Sequence, residues 1–565
     1  MRTYDLKAGL VLALSAASFA VAQDPYPITG VSAKHLSNDV PLRRNIQDLA
    51  AEAGPQWDLY IRALLEMQQA NYTDTLSYFQ IEGIHGRPFI EWNSTGSRAT
   101  DGWAGYCPHG ELLFLSWHRP YVVLFEVRDC LSHGMEHVLT LAQQVLVLQA
   151  RKIASTYPPG VRDQYMQAAE ELRAPFWDWA ADATVPAVTV PPKMKVKFPN
   201  GQGVGEREVD NPLFTFKIPQ SVVDGEYGSF DSDNRNTTMR CPAPQSYPNS
   251  ANDLLSQRPY KDWVYDAFAR ADNFSEFSSV SDRFVSMELV HNGIHWDAAC
   301  GQQFLGPDLS GFDPLFMLHH SNMDRLWAYW QAVRPDEEIF QGSYSGLSRF
   351  GSPEGSTITA QSPLQPFFGL NGKPHTTETV RRLQDFGYSY EGLEYWYKSE
   401  DQMRRDAITL INRLYSEGGE SQSERRQTPQ AKRRYFARIS VDRADIPKPC
   451  QIKLSLNDKP AGSFVVFGQP AKGMLSAGMP LDKALRNTNM TTLPVEHAAD
   501  AIATSMKVQI VKPDGTVVSN VTSLKVSLED VEVTPPRTPD SFPTFGLSNF
   551  FPVANLLRQL AHHHL

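Results

Sequence analysis

Positive charge is in short supply in this chain. Its 53 lysines and arginines are outnumbered by 63 aspartates and glutamates, which leaves a formal net charge of -10. That argues against a nucleic acid partner, because phosphate binding needs a basic face, and it marks a soluble protein. Long apolar runs are absent too, with one exception. Ala8 to Val21 is apolar, is preceded by Arg2 and Lys7, and ends in Ala20-Val21-Ala22, a small-x-small cleavage signature. The run is too short to span a bilayer. The expectation is a signal peptide over 1–22, a mature chain from Gln23, a secreted protein and no membrane span in its mature form; the alternative is an N-terminal anchor. Cysteine is scarce as well. Five is an odd number, so they cannot all pair with one another. Export permits disulfides, and Cys241 with Cys300 is plausible, although the sequence does not determine the pairing.

The chain has 565 residues, too many for one hydrophobic core, so two or more domains are expected. Six glycosylation sequons, at Asn71, Asn93, Asn236, Asn273, Asn489 and Asn520, agree with export. From about Pro41 to Trp396 the chain is aromatic-rich, with helical periodicity beginning at Asn45 and over Tyr60–Gln69, Leu112–Glu126 (broken near Arg119-Pro120), Ser286–Trp296 and Asp313–Trp330. The stretch 186–250, rich in Pro, Gly, Asn and Ser, reads as long loops. Residues 417–434 are polar and apolar-poor and read as an exposed linker. Their dibasic sites, Arg425-Arg426 and Lys432-Arg433-Arg434, suit either a processing protease or a solvated charge run. Beyond them short β-rich segments alternate with turns, at Tyr435–Val441, Gln451–Leu456, Ser463–Phe467, Lys507–Val511 and Ser523–Leu528, which suggests a β-sandwich; the last thirty residues read as irregular.

Seven of the 15 histidines fall in two blocks. One holds His85, His109 and His118; the other holds His291, His295 and the His319-His320 pair. Four-residue spacing puts His291 and His295 on one helix face, where both can bind one ion. Only one of His319 and His320 need point at the metal, and His320 is the choice here. A single HxxxH is more often a chance pair than a site. Two clusters within apolar and aromatic segments are a stronger signal, because an unliganded buried imidazole is costly. An all-imidazole set suits copper, although imidazole also accepts zinc, iron or nickel. His133-Gly134-Met135-Glu136-His137 fits a zinc-peptidase pattern, but so short a match is mostly accidental. Ala561 to Leu565, with three histidines, reads as a solvated tail.

HGRPFIEW (85–92), CPHGELLFLSWHRPYVVLFE (107–126), HNGIHWDAACG (291–301) and DPLFMLHHSNMDRLW (313–327) resemble the copper-binding blocks of tyrosinases, in particular the secreted tyrosinases of filamentous fungi. The resemblance implies a mainly α fold, a four-helix-bundle catalytic domain over 23–416 holding a type 3 dicopper centre. After the cleavable linker at 417–434, a β-sandwich-like C-terminal domain covers the site from 435 to 565. It implies that His85, His109 and His118 bind one copper and that His291, His295 and His320 bind the other, with O2 as co-substrate. Cys107 is expected to form a thioether to His109, Glu288 and Asn292 to hold a water near the second copper, and Phe316 to pack under the substrate. Tyr388-Ser389-Tyr390 is expected to pack against Arg43. The C-terminal domain is expected to insert an aromatic or large apolar side chain from a strand-connecting loop, and an activating protease to act at the basic residues 425–434.

One segment interrupts the family pattern. Removing Val127 to Gln143 joins LFE to QVLVLQARKIASTYPP, a continuous helix. We take the segment as a translated, unspliced intron, the alternative being a genuine helical insertion. The implied function is a secreted, latent tyrosinase. It would hydroxylate small phenolic substrates and oxidise catecholic ones to o-quinones. The alternatives are a catechol oxidase, an o-aminophenol oxidase, or, in another class, a hemocyanin-like oxygen carrier.

Overall fold

The computed structural model describes residues 25–30, 39–96, 98, 102–126, 146–279, 285–416 and 431–553. The expected leader, the insert at 127–143, Arg425-Arg426 and the terminal histidines lie outside them. A helical portion comes first and two sheets follow.

The helices start where local chemistry provides a cap. The Asn45 side chain accepts from the Gln47 N–H and opens Ile46–Glu52, and Pro55 stands at the first turn of Pro55–Gln69. Ser286 accepts from the Leu289 N–H and opens Met287–Asp297. Leu315–Val333 packs on Phe114–Glu126 and on Glu400–Tyr415, and Pro55–Gln69 packs along Leu146–Ser155. The break expected at Arg119-Pro120 does not occur, because Phe114–Glu126 runs through it. Pro120 removes one ladder hydrogen bond. The helix is buried on every side, and Arg119 is tied to Asp324 of the neighbouring helix by a 2.5 Å ion pair, so packing outweighs the lost bond.

The stretch 186–250 is not all loop. β1 (Lys193–Asn200) and β2 (Gly203–Asp210) form an antiparallel hairpin. Its alternation of Met194, Val196 and Phe198 with lysines is hidden in the sequence by the surrounding Pro, Gly and Asn. A second, short hairpin joins β3 (Ser343–Ser345) to β4 (Thr357–Thr359). Cys241 and Cys300 form a disulfide.

The C-terminal portion contains β5 (Lys432–Asp442), β6 (Cys450–Leu456), β7 (Lys459–Val466), β8 (Met474–Pro480), β9 (Met506–Val511), β10 (Val517–Val518), β11 (Lys525–Thr534) and β12 (Thr544–Pro552). They form two four-stranded sheets, ordered β10-β9-β6-β7 and β12-β11-β5-β8. Ile439 and Leu528 of one sheet and Ile452 and Phe464 of the other belong to a common buried core. Most of these strands follow the sequence expectation. β8, β12 and the helix Val495–Ser505 do not, and β12 corrects the view that the last thirty residues are irregular.

The linker expectation also needs a boundary correction. Lys432, Arg433 and Arg434 are strand residues, paired with Val533, Glu532 and Val531 of β11. Arg434 makes ion pairs with Asp266 (2.6 Å) and Asp482 (2.8 Å), and Arg433 with Asp530. These carboxylates, distant in sequence, give the basic triplet a place in the sheet.

Candidate metal centre

Four backbone segments bring the histidines together. His85 follows the short helix Tyr78–Gly83. His109 lies on the irregular segment before Phe114–Glu126, and His118 is one turn into that helix. His291 and His295 project from Met287–Asp297, and His319 and His320 from Leu315–Val333. All seven are at most 4% exposed, so each imidazole has given up its water.

The side chains form two groups of potential ligand atoms, His85, Cys107, His109 and His118 in one and His291, His295, His319 and His320 in the other, each within 4.8 Å. The groups adjoin. The His118 and His320 rings stack at 4.1 Å, and the His109 and His291 rings are 5.8 Å apart. Both groups are one residue larger than the sequence reading, with Cys107 in the first and His319 in the second. His320 has ring contacts with His85 and His118 of the first group, whereas His319 meets Trp179 and Phe304 on the far side.

Hydrogen bonds fix which ring nitrogen faces inward. Nδ1 of His85 donates to the Pro307 carbonyl (2.7 Å), Nδ1 of His118 to Phe114 (2.7 Å) and Nδ1 of His295 to Phe304 (2.6 Å). Nδ1 of His291 donates to Oδ1 of Asn292 (2.9 Å). A carbonyl only accepts, so each of these Nδ1 atoms carries the proton and each Nε2 keeps its lone pair. His291 Nε2 and His295 Nε2 then face each other at 3.0 Å as two acceptors, which is repulsive unless a cation lies between them. Among the described residues, neither ring nitrogen of His319 or His320 has a hydrogen-bond partner. Buried polar atoms are seldom left so. Burial lowers the His85 and His295 pKa values to about 3, and it holds those of the other five well below the usual imidazole range. All are therefore neutral at pH 7, the form that binds a metal. The residues thus fit two adjacent metal ions, and a donor set of imidazoles with one thiol suits copper.

The other predicted residues surround this centre. Cys107 Sγ is 3.7 Å from both ring nitrogens of His109, as an atom opposite the carbon between them would be, and 3.4 Å from His118 Nε2. Burial raises its thiol pKa, with Glu288 adding to the effect. Phe316 packs its ring 4.2 Å from His320 and 4.8 Å from His85. Glu288 and Asn292 are one turn apart on the second-group helix. The first accepts the Gly110 N–H and the second holds His291. Arg43 lies over the Tyr388 ring at 3.7 Å, donates to the Tyr390 hydroxyl and pairs with Asp324 and Glu126.

Phe467, just after β7, could not be picked out from the sequence. Its ring stands 5.5 Å from His295 and 5.7 Å from both His109 and His291, and it packs with Trp296, Leu305 and Val465. Beside it, the conformation at Gly110 (φ +70°) leaves room for no side chain, since a Cβ would lie 2.7 Å from Pro470. The β-rich portion therefore closes over the histidines. No local signal marks Phe467, because its importance comes from a contact with residues more than 170 positions away.

Comparison with known proteins agrees with this geometry. Residues 75–333 match the family described as the common central domain of tyrosinase. The chain is 32% identical to a tyrosinase of Podospora anserina over 401 residues, 66% of each chain. It is 31% identical to a tyrosinase of Neurospora crassa over 434 residues, 69% of this chain and 58% of that one. It thus spans somewhat under two thirds of the length of these relatives. In fold it is similar to the structure of recombinant mushroom tyrosinase, with a TM-score of 0.76 at 23% identity, covering 93% of this chain and 98% of that one. The family match begins before His85 and ends beyond His320, so it takes in all seven clustered histidines, and the chain belongs to the tyrosinase family.

Proposed function

We propose that this protein is a secreted, latent tyrosinase that hydroxylates monophenols at the ortho position and oxidises o-diphenols to o-quinones. The observation that carries the reading is the pair of adjoining, uncharged histidine groups closed over by an aromatic ring from the C-terminal portion. His85, His109 and His118 hold one copper. His291, His295 and His320 hold the other, His320 being preferred to His319 because it faces both groups. When bound, the copper pair supplies the redox chemistry with O2.

The chain's own residues orient and protect. Carbonyls of Pro307, Phe114 and Phe304 and the Asn292 amide aim Nε2 atoms inward. Phe316 floors the site, and the apolar residues around it exclude water. Glu288 and Asn292 hold a water that takes the phenol proton as substrate binds. The Glu288 bond to the Gly110 N–H also ties the His109 segment to the second-group helix. Cys107 faces His109 and forms the thioether that fixes its ring, its S–H and one ring C–H being replaced by the C–S bond while O2, the co-substrate, takes up the two electrons and two protons.

Phe467 occupies the space a phenol ring would need, which makes the uncut chain latent. Processing falls before residue 431, at Arg425-Arg426, because Lys432 to Arg434 lie within a paired strand that no protease can take up extended. No helix among the described residues is long and apolar enough to cross a membrane, which is compatible with export.

The test is oxygen uptake with a monophenol and with a catechol, on copper-loaded protein before and after limited proteolysis. Tyrosinase activity appears with both substrates once the C-terminal portion has been cut and removed. Activity with catechol alone would instead make the protein a catechol oxidase. Reversible oxygen binding without quinone would make it a carrier.

A further inference from the structure

Several contacts join the helical portion directly to the C-terminal sheets. Three arginines make some of them, Arg258 beside the strand that leads to Phe467 and Arg270 and Arg434 both beside the Phe436 ring. Arg258 spends Nε and Nη2 on Asp297 (2.6 and 3.0 Å) and places Nη1 2.6 Å from both the carbonyl and the hydroxyl of Ser463, on the strand that leads to Phe467. Arg270 pairs with Glu529 of β11 at 2.7 Å, and its guanidinium lies 4.2 Å from the Phe436 ring. Arg434 reaches the other way. It grips Asp266 of the helix Tyr260–Arg270 with two bonds, 2.6 and 3.0 Å, while Asp482 of its own portion holds its remaining face. Asn412 adds bonds to the Pro539 and Ser541 carbonyls (2.6 and 2.9 Å), and Trp296 and Leu305 seat Val465 and Phe467.

Asp266 and Glu529 are almost wholly buried. Removing Arg434 would leave the buried Asp266 without its counter-ion, the costly case, whereas Glu529 would keep Arg438 of its own sheet if Arg270 were lost. The adjacent Arg433 differs. It pairs with Asp530 of its own sheet and is a third exposed.

We propose that cutting the connecting segment does not release the C-terminal portion. The cut protein remains a tight, still-latent complex of two pieces, with Arg434 as the latch, and activation needs a second event that unseats the sheets. One of the three basic residues at 432–434 is thus a docking residue rather than a processing site. The latency half of the proposal rests on the reading of Phe467 given above; the docking half stands on the interface alone.

The test replaces 421–426 with a specific protease site, cuts the copper-loaded full chain, and follows it by gel filtration with light scattering and by catechol oxidation. The cut wild type should run as one particle with the mass of the uncut chain and show no gain in oxidation. Arg434→Ala should weaken association of the pieces by about 30-fold or more, the least expected for truncating a buried charge pair, and oxidation should rise as they separate. Arg433→Ala should behave as wild type. Asp266→Asn tests the same pair from the helical side, should the strand variant fail to fold. Prompt separation of the cut wild type, or equal retention of pieces in Arg434→Ala and Arg433→Ala, overturns the proposal. A cut wild type that stays whole yet oxidises catechol freely upholds the docking and overturns the plug.

Discussion

At the residue scale the centre depends on few atoms. His295 is aimed by a single bond to the Phe304 carbonyl, and its Nε2 faces His291. His295→Ala should bring copper well below two ions per chain by metal analysis and abolish catechol oxidation in protein freed of its C-terminal portion. Retained oxidase activity would count against the ligand assignment. Phe467→Ala removes a buried ring, worth about 3 kcal/mol of apolar burial, which moves a closed-to-open balance by roughly 100-fold. Uncut Phe467→Ala should therefore oxidise catechol measurably where the uncut wild type does not. Cys107→Ser separates the thioether from mere packing: the peptide spanning 107–109 in wild-type protein should be lighter by the pair of hydrogens lost on bond formation, and the serine variant should show no such deficit. Most of these residues could be read from the sequence because each ligand sits in a short, recognisable block. Phe467 and the second nearby histidine, His319, could not be assigned, since their roles depend on which way side chains turn after distant elements meet.

At the scale of elements, the helices that carry ligands are locked by buried ion pairs. Asp324, four residues beyond His320, accepts from Arg43, Arg119, Tyr388 and Tyr390. Burial alone would raise its pKa, but Arg119 and Arg43 outweigh that and hold it below the usual carboxylate value. Its folded-state pKa is depressed, so its contribution to stability is fully present above the unfolded value and is lost as pH falls through the folded one. Asp324→Asn should cost about 3–5 kcal/mol, seen as a lower unfolding temperature near neutral pH. The gap to wild type should narrow as pH drops below the ordinary aspartate range; a gap that does not change with pH would contradict the pairing. The helix starts at Asn45 and Ser286 were legible in the sequence because both residues cap locally, whereas the helix expected from Tyr60 begins at Pro55. The continuity of Phe114–Glu126 through Pro120 was not, because the Arg119–Asp324 pair spans 205 residues. The β1–β2 hairpin was missed where turn-rich flanks concealed its alternation, and β12 because an edge strand with little burial has a weak pattern. The insert at 127–143 is a separate question, answered by a peptide map: none of its peptides should appear in secreted protein if it is a retained intron.

At the scale of the whole molecule, the helical portion supplies the metal centre and the sheets close it. The six-histidine set, the preference for copper and the β-rich end followed from composition, spacing and motif, because ligand identity is a matter of residue type and short-range order. The sequence also determined the charge balance that disfavours nucleic acid. Tertiary structure decided the rest. It placed His319 alongside His320, turned Asn292 toward His291 and brought Phe467 over the histidines. It also converted Arg434 from a residue of a supposed linker into an ion-paired member of a central strand. Each of these depends on a contact partner contributed by another part of the chain. Periodicity and motifs report a residue's own neighbourhood, whereas burial, ion pairing and closure exist only once the elements have packed.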